Sequence, residues 1–101
     1  MLELRPNCEL CDVDLPPAAA EARICSYECT FCAGCVERVL RNVCPNCGGG
    51  FAPRPIRPSN AWREGHGLAH DPPGTRRRHA RPMEEITALV AQLHATPPGE
   101  R

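Results

Sequence analysis

Apolar residues recur at helical spacing in only one long stretch of the chain, where Met83, Ile86, Leu89, Val90 and Leu93 share a face. Pro82 suits the first helical position, Glu84 and Glu85 complement the positive end of the dipole, and Pro97-Pro98 stop the run. The pattern therefore predicts one amphipathic helix over residues 82–96. A shorter helical stretch, Val36-Glu37-Arg38-Val39-Leu40, follows Cys35. Gly48-Gly49-Gly50 and then Pro53, Pro55 and Pro58 admit neither a helix nor a central strand, so residues 48–60 read as extended. Residues 60–81 have weak periodicity. Before Gly48, cysteines interrupt the apolar positions, leaving room for short hairpins only. Three parts result: a cysteine module at 1–50, an extended Arg/Pro-rich segment at 51–81 and a C-terminal helix at 82–96.

Composition explains why the first part needs help to fold. Of 101 residues, 12 are proline and 8 glycine, while Phe, Trp and Tyr together number four. So few large side chains bury too little surface to offset conformational entropy by packing alone. The eight cysteines, all between Cys8 and Cys47, supply the remedy as disulfides or as metal ligands. Met1-Leu2-Glu3-Leu4-Arg5-Pro6 has neither the basic nor the apolar region of a secretory signal, and no run reaches membrane-span length. A cytoplasmic chain is expected, in which thiols stay reduced and paired cysteines mean metal. All twelve basic residues are arginine, a bias that fits a GC-rich bacterial genome.

The cysteines form four pairs, Cys8/Cys11, Cys25/Cys29, Cys32/Cys35 and Cys44/Cys47, which suit two tetrahedral zinc ions. A two-residue gap lets both sulfurs face one ion while backbone amides turn toward them. In Cys44-Pro45-Asn46-Cys47-Gly48 the proline stiffens such a turn, and glycine is free to take positive φ after it. Interleaving is preferred to sequential grouping, since it staples the chain across both sites. Cys8, Cys11, Cys32 and Cys35 then hold one zinc, and Cys25, Cys29, Cys44 and Cys47 the other. The short step from Cys29 to Cys32 bridges the two ions, turning Phe31 inward and Thr30 outward. Cys29-x2-Cys32-x2-Cys35 begins like a ferredoxin run, but the next cysteine comes after eight residues rather than three. A redox dithiol at Cys32/Cys35 lacks the βαβ context it normally has.

The stretch Cys25-Ser26-Tyr27-Glu28-Cys29-Thr30-Phe31-Cys32-Ala33-Gly34-Cys35-Val36, with Cys44-Pro45-Asn46-Cys47, resembles the RING finger family. That resemblance, over residues 8–47, implies a small metal-stabilised α+β fold: a two-zinc cross-brace or treble-clef module with short hairpins and one short helix. Glu9, Cys29 and Gly48 stand where RING ligases usually carry an aliphatic, a histidine and a basic residue; Leu10 and Pro45 are the remnants of a partner-enzyme surface. Over residues 5 to about 81 the chain is also similar to domain-of-unknown-function family 1272, through Arg5-Pro6-Asn7-Cys8 and Cys44-Pro45-Asn46-Cys47-Gly48-Gly49-Gly50-Phe51.

Charge separates along the chain. Residues 1–50 carry seven acids against four arginines, and residues 51–101 eight arginines against five acids. Zinc-bound thiolates would add to the acidic half, so the arginine segment is expected to fold back onto the module. The run Arg76-Arg77-Arg78-His79-Ala80-Arg81 is otherwise the candidate for phosphate contact. His66 and His70, with Asp71 adjacent, read as solvated loop residues, and Trp62 as a cap over the module's apolar face. No nucleophile, base and oxyanion arrangement is visible, and two four-ligand sites leave no open metal position, so no enzyme is expected. The leading expectation is a zinc-binding protein-interaction adapter whose partner is another protein. A nucleic-acid-binding regulator is the alternative, and a RING-type ubiquitin-ligase-like protein the remote one. Neither a membrane nor a small-molecule substrate is expected.

Overall fold

The computed structural model of the chain describes all 101 residues. Strand β1, Ala22–Ile24, pairs antiparallel with β2, Thr30–Cys32, in the register Ala22↔Cys32, Arg23↔Phe31 and Ile24↔Thr30. Cys25 and Cys29 lie at the mouth of the connecting turn, closed by the Cys25 N–H to the Cys29 carbonyl at 3.2 Å. Helix α1, Ala33–Cys35, follows β2 directly and widens into a π-helical turn, Val36–Leu40, which ends on left-handed Arg41. Strand β3, Ala52–Pro53, then joins the free side of β1 and gives the sheet order β2-β1-β3. Proline is tolerated there because β3 is an edge strand.

Helix α2, Met83–Leu93, falls within the expected span. Its Ile86 and Val90 are buried, and Leu89 and Leu93 pack partly against the same core. Met83, assigned to this stripe by spacing, stands 49% exposed at the first turn, beyond the reach of the core. That core is Leu15, Phe31, Val36, Leu40, Val43, Ile86 and Val90, interspersed with the cysteines. Phe31 meets Phe51 edge to face at 5.5 Å, giving the small core an aromatic centre.

Two expectations need correction. Thr30 does not face outward: it is fully buried, its N–H donates to Glu9 Oε2 and its hydroxyl to the Glu28 carbonyl. Alternation along β2 fails to expose it because the N-terminal loop covers that face of the strand. Trp62 caps nothing and is 72% exposed on an irregular loop, where the Leu68 N–H bonds back to the Pro58 carbonyl.

The remaining packing relies on arginines bonded to main chain. Arg54, just after β3, is 4% exposed; Nη1 donates to the Arg5 carbonyl at 2.9 Å, and Nη2 to the Leu15 and Pro16 carbonyls at 3.1 and 3.0 Å. No acid faces it, and burial alone lowers its pKa. Arg57 likewise donates to the Leu2 and Asp71 carbonyls. The arginine segment folds back: Arg77 reaches Asp12 at 2.8 Å and Asp14 at 2.7 Å, while the Asn7 side chain clasps both N–H and carbonyl of Arg78.

Arg54→Ala would leave three carbonyls without their donor, at a cost of about 3 kcal/mol. Arg54→Lys should recover little, since a single ammonium cannot reproduce the fork. Denaturant unfolding of the metal-loaded chain measures both; an unchanged midpoint for either substitution would contradict this role.

Candidate metal centres

The elements bring the four cysteine pairs together in two groups. A tight turn, in which the Asp12 N–H bonds the Cys8 carbonyl, presents Cys8 and Cys11; the end of β2 and α1 present Cys32 and Cys35. These four sulfurs lie within 4.8 Å of one another, with Cys11 and Cys32 Sγ 3.8 Å apart. An ion with metal–sulfur bonds near 2.3 Å in tetrahedral geometry sets its sulfurs about 3.8 Å apart, which the Cys11–Cys32 separation already matches. In the second group Cys25, Cys44 and Cys47 lie within 4.8 Å of one another. Cys29 falls outside that common limit; its sulfur accepts from Asn46 Nδ2 at 3.4 Å, beside the Cys44–Cys47 turn.

Amides aimed at sulfur mark both groups as sites for thiolate. Cys11 N–H lies 3.5 Å from Cys8 Sγ, Cys35 N–H 3.4 Å from Cys32 Sγ, Tyr27 N–H 3.3 Å from Cys25 Sγ and Gly49 N–H 3.4 Å from Cys47 Sγ. Gly48 makes the last turn possible with φ of 78°, and a Cβ there would sit 3.1 Å from Leu93 Cδ1. The neighbouring Cys44 thiol, with Asn46, Cys25 and Arg5 helping against burial, lowers the Cys29 pKa to about 5. For the same reason Cys44 is driven upward, and burial pushes Cys25 to about 11. Burial also opposes the Cys8 thiolate, yet the amides of Cys11, Cys32 and Leu10 hold its pKa below the ordinary value. Each group thus sets one lowered thiol against raised neighbours, Cys8 against Cys11 and Cys35 and Cys29 against Cys25 and Cys44, and a bound divalent cation would displace thiol protons.

The other candidates from the sequence lie apart. His66 Nδ1 lies 3.0 Å from the Glu64 carbonyl and His70 Nδ1 3.2 Å from Asp71 Oδ2, both on the exposed loop, and neither joins a group of three candidate ligands. Arg81 lies at the edge of the second group, its Nε donating to Asn46 Oδ1.

Sequence reasoning missed the buried ion pair between the groups. Glu9 is 5% exposed; its Oε2 takes Arg5 Nη1 at 3.0 Å and the Thr30 N–H at 2.6 Å, tying the first turn to β2. Burial opposes the Arg5 charge, but hydrogen bonds to Glu3 and Glu9 outweigh it and raise the pKa. A signal was present: an acid directly after the first cysteine, four residues beyond an arginine, where a turn around metal leaves little room for water.

Fold and sulfur groups define a small cysteine-rich α+β chain with two thiol clusters that could bind metal ions. Residues 1–57 match the family described as protein of unknown function (DUF1272), and the chain belongs to that family. It is 62% identical over 64 residues to the uncharacterized protein R02474 of Rhizobium meliloti (strain 1021), a match covering 63% of this chain and 76% of the relative. No solved structure matches it.

Because the groups share no sulfur, each should load independently. Cys11→Ala is expected to halve the cobalt bound per chain and Cys47→Ala to do the same, read from thiolate-to-cobalt absorbance. Loss of all cobalt from both variants would mean one linked centre instead.

Proposed function

We propose that the chain is a two-zinc structural module of RING-like or treble-clef type that serves as a protein-interaction adapter. The observation that supports this reading is the grouping of the sulfurs: the first cysteine pair meets the third, and Cys25 of the second pair meets the fourth. Such a brace ties a chain with a small core across two centres. An all-thiolate, four-donor set suits zinc, and it leaves no coordination position for water or substrate. The proposed role is therefore structural rather than catalytic, with Cys8, Cys11, Cys32 and Cys35 on one zinc and Cys25, Cys29, Cys44 and Cys47 on the other.

Fold-back bears on the nucleic-acid alternative. Arg54, Arg57, Arg77 and Arg78 already bond within the chain, which removes much of the basic segment from extended backbone contact. No helix is long and apolar enough to cross a membrane, so that feature does not support membrane-spanning attachment.

Elemental analysis is expected to give two zinc ions per chain and no iron. Chelation should collapse the dispersed amide spectrum of residues 8–47, since structural zinc contributes on the order of 10–16 kcal/mol of apparent free energy per site in small modules. A chelated chain that keeps its dispersion would refute the coordinative reading. For the adapter role, a partner co-purified from the native cell should bind the purified zinc-loaded chain directly and fail to bind the chelated one; retention by the chelated chain would refute it.

A further inference from the structure

Beside the second sulfur group, and sharing Cys29 with it, lies a cleft of about 460 Å³ lined mainly by basic side chains. Arg5, Glu9 and Cys29 line it from the cysteine module, and Arg76, Arg78 and His79 from the arginine segment. Most basic residues in this chain are spent on internal partners, but three in this cleft retain unused donors. Arg76 is exposed and makes no hydrogen bond or ion pair, and neither does His79. Arg5 is the informative one: it is 9% exposed and fixed through Nε to Glu3 and Nη1 to Glu9. Its Nη2 makes no hydrogen bond, yet it is not among the sealed unpartnered atoms, which are Arg54 Nε and Arg78 Nε. A buried guanidinium held by two carboxylates thus keeps a free edge in a cleft that the exposed Arg76 and His79 also line. Tyr27, 73% exposed, stands at the rim.

We infer that this cleft binds a phosphate-monoester dianion. Four arginines line it with Glu9 and Cys29; Arg77 and Arg78 are engaged by acids, but Arg76 and one edge of Arg5 are free, and guanidinium forks match the oxygens of phosphate bidentately. Pre-ordering of Arg5 by Glu3 and Glu9 lowers the entropy lost on binding. A compact dianion is favoured over a nucleic-acid strand by what surrounds the cleft. Glu3, Asp12 and Asp14 hold Arg78 and Arg77 at its border, where the next phosphates of a polymer would lie, and would repel them. The inference deepens the adapter reading by naming the chemistry of a partner; it rests on that reading only in taking the zinc-loaded chain as the folded protein.

Amide and arginine side-chain NMR of the full zinc-loaded chain, with zinc content assayed on the same sample, provides the test. Inorganic phosphate and a phosphoserine peptide should give saturable shifts at Arg5, Tyr27, Arg76 and His79, with dissociation constants of about 1 mM or tighter. Tighter binding of the peptide than of phosphate would assign the dianion to a protein partner, and equal affinity to a free phosphate ligand; either supports the site. Arg76→Ala with His79→Ala should weaken binding about tenfold, while zinc content and the remaining spectrum stay unchanged. Shifts that match chloride at equal ionic strength, unchanged affinity in the double variant, or tighter binding of duplex DNA than of the peptide would each overturn the inference. A chain without zinc that still binds phosphate saturably would break the adapter reading and leave the cleft standing.

Discussion

Sulfurs that meet in this fold come from far apart in the chain, and the rest of the structure depends on that meeting. Cys11 and Cys32 are 21 residues apart yet their sulfurs lie 3.8 Å from each other. Closing two such loops costs conformational entropy that grows slowly with length but is never small. The apolar surface available to offset it is one Phe31–Phe51 contact and a handful of aliphatic side chains. Strands of three, three and two residues cannot hold themselves together. They are instead the chain's route between sulfur groups: β1 leads into Cys25, β2 ends on Cys32, and β3 follows the turn after Cys47.

Arginine performs the work that large apolar residues perform in richer cores. Arg54 gathers carbonyls from three residues of the N-terminal loop, and Arg5 joins that loop to β2 through Glu9. A flat guanidinium with five donors can satisfy several main-chain acceptors at once, which suits a fold made mostly of loops whose carbonyls lack secondary-structure partners. The two roles are electrostatically distinct. Arg5 is balanced by carboxylates, whereas Arg54 is held only by backbone dipoles.

What the sequence disclosed follows from the range of each signal. Cysteine pairs at two- and three-residue spacing and the stripe ending at Leu93 are local patterns, so the knuckles and α2 could be placed without knowing the fold. Which pair joins which is not local; it became arguable only by asking which grouping staples the chain best. Thr30 and Trp62 were misjudged for opposite reasons. A loop distant in sequence covers the former, and the latter extends from a loop with no apolar surface beneath it. Opposite charges in the two halves indicated fold-back, but not that Arg54 would bypass every acid for carbonyls.

The arginine strap also imposes an order in time. Its bonds to Asp12 and Asp14 span 65 and 63 residues, so the acids leave the ribosome well before Arg77 does. At synthesis rates of 5–20 residues per second the interval is roughly 3–13 s. By its end all eight cysteines have emerged, while Asp12 and Asp14 still await their arginine partner. Until Arg77 emerges the first cysteine turn lacks its strap, so the residues made last are the ones that buttress the residues made first.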